Sequence, residues 1–405
     1  MSYFIDLSLL RRNRKFRLLF MGQSISFIGN MVTMVALPYQ IYHLTRSTLM
    51  VGLLSLAQLI PMLVTALIGG ALADRHHRRM LILWSETLLA VGCAGLAWNS
   101  FTEHPSLGLI FIVSAAMSAV TGLHRPVLTS ISQQVVEKKD FAQAGVLNSM
   151  LMGSAMIIGP ALSGWILAHL GLTVTYIVDF FTFFVSLMSL LLMGSIPRLN
   201  SIGEESMLAS LMQGVRYAIS RQELQGSYWV DFLAMIFGMP MALFPALAVT
   251  FGGATTLGLL YSAPAVGAVL ISFFSGWIIK IKRHGAAIAI AAILWGVAII
   301  FFGLSSNLWW ALFFLAWAGA FDAVSGIFRT TFWNETIPVE LRGRLAGIEM
   351  ISYLSGPKLG DTEAGLVASL WGVTFSIVSG GVLCVVGVTI CCFLLPKFWV
   401  YRSEQ

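Results

Sequence analysis

The sequence predicts an all-α membrane protein of twelve transmembrane helices in two pseudo-symmetric six-helix halves. Of its 405 residues, 58% are hydrophobic and only 10% are charged, whereas a soluble protein carries about 25% charged residues. Apolar runs of roughly 20 residues recur, each long enough to cross about 30 Å of hydrocarbon. The two halves of the chain also share short matching segments, which indicates a duplicated unit.

Twelve apolar runs define the predicted spans, and the longer ones must tilt or extend beyond the bilayer. In chain order they are residues 16–44, 49–73, 80–100, 107–133, 143–170, 174–195, 228–250, 256–279, 285–305, 308–334, 344–370 and 373–396. This spacing predicts an N-terminal six-helix bundle over 1–195, a cytoplasmic linker over 196–227 with a surface helix near 206–220, and a C-terminal six-helix bundle over 228–405.

The basic residues are distributed unevenly across the predicted topology. With the N-terminus in the cytoplasm, Arg46 alone falls on the opposite side, three basic residues lie within spans, and the remaining 20 of the 24 Lys and Arg are cytoplasmic. An excess of Lys and Arg in cytoplasmic loops is the positive-inside rule. We therefore expect both termini to be cytoplasmic, and we attribute the net charge of +6 to topology rather than to a nucleic-acid partner.

Several classes of protein are not predicted. The first apolar run is too long for the core of a signal peptide and lacks a small-residue cleavage site. The four cysteines fall in apolar spans without metal or redox spacing. The sequence also lacks a phosphate-binding loop, a His-Glu-x-x-His zinc site and a Gly-x-Ser-x-Gly elbow. We expect neither an enzyme nor a bound metal or cofactor.

Matching segments support the duplication. Gly52-Leu53-Leu54 recurs as Gly258-Leu259-Leu260 and Gly70 as Gly276, all 206 residues apart. The segment 119–125 recurs as 323–329, 204 residues apart, so Arg125 and Arg329 occupy equivalent positions. Parallel repeats of this kind relate the two halves of many transporters.

A charged loop between the second and third runs carries the most specific motif. Residues 69–79 read Gly-Gly-Ala-Leu-Ala-Asp-Arg-His-His-Arg-Arg. This segment resembles the loop between helices 2 and 3 of the major facilitator superfamily of secondary transporters, whose pattern is roughly Gly-x-Leu-Ala-Asp-Arg-x-Gly-Arg-Arg. His77 replaces the second glycine. The matching positions that define the gating motif are Gly70, Asp74, Arg75, Arg78 and Arg79.

Two further segments resemble exporters within this superfamily. Gly159-Pro160-Ala161-Leu162-Ser163-Gly164 in the fifth run is similar to the Gly-Pro-x-x-Gly-Gly motif of exporters, with Gly159, Pro160 and Gly164 matching. The loop 338–344 and the first 53 residues resemble the siderophore-exporter (enterobactin-type) and macrolide-efflux subgroup.

The resemblance implies the major facilitator fold and transport by alternating access. Helices 1, 4, 7 and 10 would line the cavity, and Asp74 would lie near the N-terminus of helix 11, where unpaired N–H groups favour an acid. It implies a monomeric, proton-coupled exporter of a siderophore or similar anionic or amphipathic small molecule. The exporter would lie among the lipids of the cytoplasmic (inner) membrane. The alternatives are a multidrug or macrolide exporter and a non-transporting membrane sensor.

Polar and charged residues in the spans are candidates for substrate binding, because an ionisable group at the helix centre costs about 3 kcal/mol. Arg125 and Arg329 would hold an anionic substrate together, or would snorkel to the headgroups or pair with a nearby acid. The full set of predicted substrate-binding residues is Asn30, Tyr39, Arg125, Trp229, Arg329 and Lys358.

Buried acids are candidates for proton coupling. Asp322 precedes Arg329 by seven residues, so both share one helix face about 10 Å apart, and it serves either coupling or a structural ion pair. Asp361 and Glu363 are further coupling candidates, and Lys358 is placed to pair with Asp361.

Four other ionisable residues are interpreted as structural or solvent-exposed rather than as functional. Glu86 and Asp179 are expected to be structural and paired with polar neighbours, and His124 is expected to be a hydrogen-bonded packing residue. Asp231 is expected to lie in water near the cytoplasmic start of the seventh span.

Overall fold

The computed structural model describes residues 7–75, 77–194 and 207–403, without the side chains of 70–75, 207–211, 275, 277, 279, 339 and 344. In these ranges the chain is almost entirely helical and contains no β-strand. The long helices, labelled in chain order, are α1 Arg14–Thr45, α2 Thr48–Arg75, α3 Arg78–Phe101, α4 Leu107–Val135, α5 Phe141–His169, α6 Gly171–Met193, α7 Gln222–Phe237 with Phe244–Phe251, α8 Ala254–Phe273, α9 His284–Gly303, α10 Leu308–Thr336, α11 Arg342–Trp371 and α12 Val373–Leu394.

Eleven of these helices are long and apolar enough to cross a membrane within the described ranges. The exception is α11, which is 30 residues long but carries Glu349, Lys358, Asp361 and Glu363. Its length and its place between two apolar helices still match the predicted eleventh span. The predicted fold class, an all-α membrane protein with the twelve-helix major facilitator architecture, is confirmed.

Some helices begin or end at residues other than those predicted, and several short helices occur between or beside the long ones. A helix forms over Met207–Ser220, where a surface helix was expected, and α7 begins at Gln222, before the predicted start at 228. Helix α8 ends at Phe273 instead of 279, and a 3₁₀ segment, Ser275–Lys280, follows it. Short helices also occur at Ser8–Arg12 and Pro396–Trp399.

The chain forms two compact units. The first unit comprises Met1–Gln40 and Ala57–Gly203, and the second comprises Ile41–Leu56 and Glu204–Gln405. The ends of α1 and α2 that meet in the hairpin at Arg46 therefore pack with the second unit, although they precede most of the first unit in the chain.

In the first unit, α3 packs against both α4 and α6. Glycine permits a similarly close contact between α1 and α6, because a Cβ atom on Gly29 would overlap the side chains of Thr182 and Asp179. Helices α1 and α6 therefore meet around polar side chains. These side chains belong to the polar cluster around Asp179 that is described in the next subsection.

In the second unit, α8 and α10 make reciprocal backbone contact. A Cβ atom on Gly267 would overlap the carbonyl oxygen of Ala316, and one on Gly319 would overlap that of Pro264. Small residues allow membrane helices to approach this closely, and packing then replaces the hydrophobic effect as the source of association. The apolar core of the unit includes Phe328 and Phe332.

Helix α7 is interrupted, which differs from the continuous span predicted over 228–250. The first piece ends at Phe237, and a 3₁₀ turn, Met241–Leu243, precedes the second piece. Pro240 lies at the interruption and has no N–H group to donate. The run is apolar on both sides of the interruption, from Phe232 to Val249, so hydropathy gives no sign of it.

Side chains from three neighbouring helices satisfy the backbone groups that this interruption frees. Trp295 Nε1 of α9 donates to the Gly238 carbonyl at 2.8 Å. Tyr261 of α8 donates to the Met241 carbonyl at 3.0 Å. The Ala242 N–H donates to Asp361 of α11 at 2.8 Å. Non-helical backbone at membrane depth is tolerated only where it is satisfied in this way.

Candidate substrate cavity and buried charges

The first unit contains a cavity of about 510 Å³. Residues of α1, α3, α4, α5 and α6 line it. Most of its wall is apolar or aromatic, and its lining residues include Phe16, Phe20, Phe27, Leu89, Leu128 and Phe183. An apolar pocket of this size with a few polar groups is the usual form of a small-molecule site.

Polar side chains on α1, α4 and α5 interrupt this wall. Gln23 and Asn30 come from α1, His124 and Arg125 from α4, and Asn148 from α5. Arg125 is exposed, whereas Gln23, Asn30 and His124 are half-buried. The structure therefore brings two of the predicted substrate-binding residues, Asn30 and Arg125, to one cavity.

A buried carboxylate lies directly behind two of these residues. Glu86 of α3 has no exposed surface, and its Oε1 atom accepts a hydrogen bond from Gln23 Nε2 at 2.8 Å. His124 Nε2 is 3.0 Å from the same oxygen. Gln23 Nε2 also donates to Ser186 Oγ of α6 at 3.0 Å. Glu86 thus joins α1, α3 and α4 through polar contacts.

Asp179 of α6 forms a second buried polar cluster in the first unit. Its Oδ2 atom accepts from Thr33 Oγ1 at 2.5 Å and from Cys93 Sγ at 3.3 Å. Its Oδ1 atom accepts from Thr182 Oγ1 at 3.0 Å. The expected pairing of Asp179 and Glu86 with polar neighbours is confirmed, as is the hydrogen bonding of His124.

In the second unit, Arg329 forms an ion pair with an acid, which was one of the alternatives predicted for it. Arg329 of α10 pairs with Asp231 of α7, and both side chains are largely buried. Glu349 of α11 lies near enough to interact electrostatically with Arg329. The expectation that Asp231 lies in water is wrong, because the approach of α10 covers it and supplies its counter-ion.

Asp361 of α11 has both carboxylate oxygens engaged within the second unit. Oδ1 accepts from the Ala242 N–H in the interruption of α7, and Oδ2 accepts from Ser55 Oγ of α2 at 2.9 Å. Lys358 is close enough to Asp361 to interact electrostatically. This arrangement ties α2, α7 and α11 to one side chain.

The other predicted site residues are distributed as follows. Asp322 and Glu363 are half-buried and make no hydrogen bond or ion pair with the residues that the structure describes. Trp229 is 54% exposed and its ring packs against that of Phe232 in a T-shaped arrangement. Tyr39 is half-buried on α1 and does not line the cavity.

The two sequence motifs differ in how much of them the structure describes. The side chains of Asp74 and Arg75 and the surroundings of Gly70 lie outside what the structure describes. Arg79 donates to the Leu191 carbonyl at 3.3 Å, and Arg78 is half-buried at the start of α3.

The exporter motif packs on α1. A Cβ atom on Gly159 would overlap the side chain of Met31, and Ser163 Oγ donates to the Val32 carbonyl at 2.9 Å. Pro160 and Gly164 are also buried. The small residues of this motif therefore allow α5 to lie close against a helix that lines the cavity.

Comparison with known proteins identifies the family. Residues 7–401 match the family of transmembrane secretion effectors, a branch of the major facilitator superfamily. The chain belongs to this family. The transporter is 28% identical to the enterobactin exporter EntS of Citrobacter koseri and to that of Shigella boydii serotype 18. Each match spans 389 residues, which is 96% of this chain and 93% of the relative.

Solved structures support the same fold at low sequence identity. A POT family transporter in complex with 5-aminolevulinic acid aligns with a TM-score of 0.76 and 14% identity, covering 95% of this chain and 97% of that one. A bacterial homologue of the human lysosomal transporter Spinster, inward-facing and unoccupied, aligns with a TM-score of 0.75 and 15% identity, covering 98% and 100%. By its family and its exporter relatives, the transporter is a multi-pass membrane exporter that moves small molecules.

Sequence reasoning predicted Asn30 but missed Gln23, Ser26 and Thr33 on the same helix. These four residues recur at helical spacing along the first apolar run. This spacing places them on one face of α1. The pattern was therefore a visible signal for a polar helix face, although it could not show which partners that face meets.

Proposed function

We propose that the transporter exports an anionic, amphipathic small molecule of the siderophore class across the cytoplasmic membrane, driven by the proton gradient. In this proposal it works as a monomer by alternating access, and both termini are cytoplasmic. The observation that carries the proposal is the first-unit cavity, in which one exposed arginine stands in a largely aromatic and apolar wall.

The chemistry of this wall suits a ligand with acidic and aromatic parts. A guanidinium group can hold a carboxylate or catecholate oxygen pair through two parallel hydrogen bonds. Phenylalanine rings such as Phe20 and Phe27 offer faces and edges on which a planar ring can stack. The similarity to enterobactin exporters over 96% of the chain supports the same substrate class.

Acids within the membrane spans support proton coupling in this proposal. An ionised carboxylate is costly at membrane depth, and taking up a proton removes that cost. Asp322, Asp361 and Glu363 remain coupling candidates. Asp322 and Glu363 have the simplest surroundings of the three, because neither makes an ion pair or a hydrogen bond with the described residues.

The aromatic wall also favours a second candidate function, broad multidrug or macrolide export. A neutral or cationic amphipathic drug would bind the same apolar surface without needing Arg125. The two functions therefore differ in what they require of that arginine.

Transport into inverted membrane vesicles tests the proposal. The substrates are a catecholate siderophore, a carboxylate siderophore and a macrolide, each with and without an imposed proton gradient. We expect gradient-dependent uptake of a siderophore alone. Uptake of the macrolide as well would favour multidrug export, and uptake of none of the three would contradict export of this substrate class.

A further inference from the structure

Glu86 differs from Asp179, another buried acid of the first unit, in how its oxygens are paired. Oε1 has two partners, Gln23 and His124. Oε2 is buried and has no hydrogen-bond partner within the described part of the chain. Both oxygens of Asp179, in contrast, accept hydrogen bonds. A buried oxygen without a donor is expensive as part of an anion, and a proton removes the charge.

His124 connects this acid to the cavity. Its side chain is 12% exposed and lines the cavity wall, while its Nε2 atom lies 3.0 Å from Glu86 Oε1. The imidazole is therefore the group through which water in the cavity can exchange protons with a carboxylate that has no exposed surface of its own.

We propose that Glu86 and His124 together form a proton-binding site of the transporter, located behind the wall of the first-unit cavity. Its role in coupling rests on the proposed function, whereas proton binding itself does not. A hydronium ion in the cavity gives a proton to the other ring nitrogen of His124, Nδ1, and becomes water, and the Nε2–H bond breaks as an O–H bond forms on Glu86. The pair has then gained one proton, and the ring is neutral again.

Few other ionisable groups face this pair. On α4, Arg125 follows His124 and lines the same cavity. On α6, Asp179 is close enough to Glu86 to interact electrostatically, and Tyr176 lies one turn away on the same helix. On α3, Cys93 lies two turns after Glu86 and donates a hydrogen bond to Asp179. The residue that α1 presents to Glu86 is the neutral Gln23.

The position of the pair links it to substrate. His124 and Arg125 are consecutive in α4 and both line the cavity, so a change of charge at the pair alters the electrostatic field where an anionic ligand would bind. This is the same wall on which the proposed function depends. Asp361 lacks such a link, since its oxygens hold a backbone N–H and Ser55 within the second unit.

Infrared difference spectroscopy of the purified full-length transporter tests proton binding without any substrate. Between alkaline and acidic buffer, we expect the wild type to gain a carboxylic-acid C=O band from a buried site. Glu86→Gln should lose that band, because glutamine keeps the size and the acceptor oxygen but binds no proton. Glu103→Gln, at an exposed position, is the matched control and should keep it. A band that persists in Glu86→Gln, or that disappears instead in Asp179→Asn or Asp322→Asn, would overturn the proposal.

Transport then tests coupling. In vesicles, Glu86→Gln should lose accumulation driven by the proton gradient while retaining exchange of substrate across the membrane without a gradient. Unchanged gradient-driven accumulation would exclude the pair as a coupling site. A merely structural role would lower the unfolding temperature of Glu86→Gln and leave the infrared band in place. If wild-type vesicles move no siderophore, the proposed function fails while the infrared result still decides proton binding.

Discussion

Two arginines at equivalent positions of the sequence repeat have different surroundings in this transporter. Arg125 is exposed in a cavity, whereas its repeat equivalent Arg329 is paired with Asp231. Duplication placed the two arginines at equivalent positions, but their surroundings separate their roles. One is available to a ligand, and the other holds α7 and α10 together.

Substitution of Arg125 should weaken transport of anionic substrates. We expect Arg125→Gln to raise KM for a siderophore by roughly tenfold or more, since a charge-assisted hydrogen bond contributes about 1.5–3 kcal/mol. Arg125→Lys should restore part of this loss by keeping the charge without the bidentate geometry. Initial rates in vesicles measure both, and Arg11→Gln, exposed and outside the cavity, serves as control. An equal loss in Arg11→Gln would indicate a general charge effect.

Substitution of Arg329 should act on stability instead. Arg329→Gln leaves the carboxylate of Asp231 buried without its counter-ion, which costs about 3–5 kcal/mol. We expect a lower midpoint temperature of unfolding in detergent, and substantial recovery in the double variant Arg329→Gln with Asp231→Asn. No recovery in the double variant would mean that the two side chains do not act as a pair.

The sequence identified the ionisable residues of the spans but not their partners. Glu86, Asp179 and His124 were recognisable as groups that need polar neighbours. The prediction for Asp231 was wrong because its closeness to the cytoplasmic start of the seventh span suggested contact with water. Helix α10 covers it, and the local sequence pattern does not show the rotation of α10. Partner identity depends on helix rotation and packing, which apolar periodicity leaves open.

At the scale of elements, the interruption of α7 is the feature that hydropathy could not reveal. The apolar runs predicted the helices because a segment that crosses a membrane must pair its backbone N–H and C=O groups with one another. The interruption at Gly238 and Pro240 occurs within such a run. Those two residues were a signal for a break, but only the donors on α8, α9 and α11 show how the freed backbone is satisfied.

Removing one of these donors should destabilise the second unit. Trp295→Phe leaves the Gly238 carbonyl without the hydrogen bond that it accepts, at a cost of about 1–3 kcal/mol. We expect a lower midpoint temperature of unfolding in detergent. Trp309→Phe removes an indole that is 79% exposed and should leave the midpoint unchanged. Equal effects of the two substitutions would mean that loss of an indole ring, not of this hydrogen bond, determines stability.

The contact between α8 and α10 should not tolerate a side chain. Gly267→Ala would force a methyl group against the Ala316 carbonyl, which belongs to the backbone and cannot rotate away. We expect a large loss of folded protein, measured as the monodisperse fraction after extraction. Gly343→Ala adds a methyl group to open space in α11 and is the matched control. Normal yield of Gly267→Ala would show that the helices can separate at no cost.

At the scale of the whole molecule, the distribution of charge predicts orientation. Arg46 alone stands on the side opposite to the predicted cytoplasmic loops. We expect green fluorescent protein fused to either terminus to fluoresce, and alkaline phosphatase fused there to be inactive. Phosphatase inserted after Arg46 should be active, and an active terminal fusion would contradict the predicted topology.

The division into two units was only partly visible in the sequence. Repeated segments indicated two halves, but they could not show that residues 41–56 pack with the second unit. Thr48 Oγ1 donates to the Gly365 carbonyl, and Thr362 Oγ1 donates to the Gly52 carbonyl. These are contacts between short side chains and backbone at glycine positions, and composition alone does not specify them.

Gly267 and Gly319 also make α8 and α10 suitable reference points for distance spectroscopy. Because each backbone touches the other with no side chain between them, we expect the two helices to move together. Spin labels on the outer faces of α8 and α10 would keep one separation throughout a transport cycle. Any change in distance from this pair to a third label would then report the movement of the third position relative to α8 and α10 as one body.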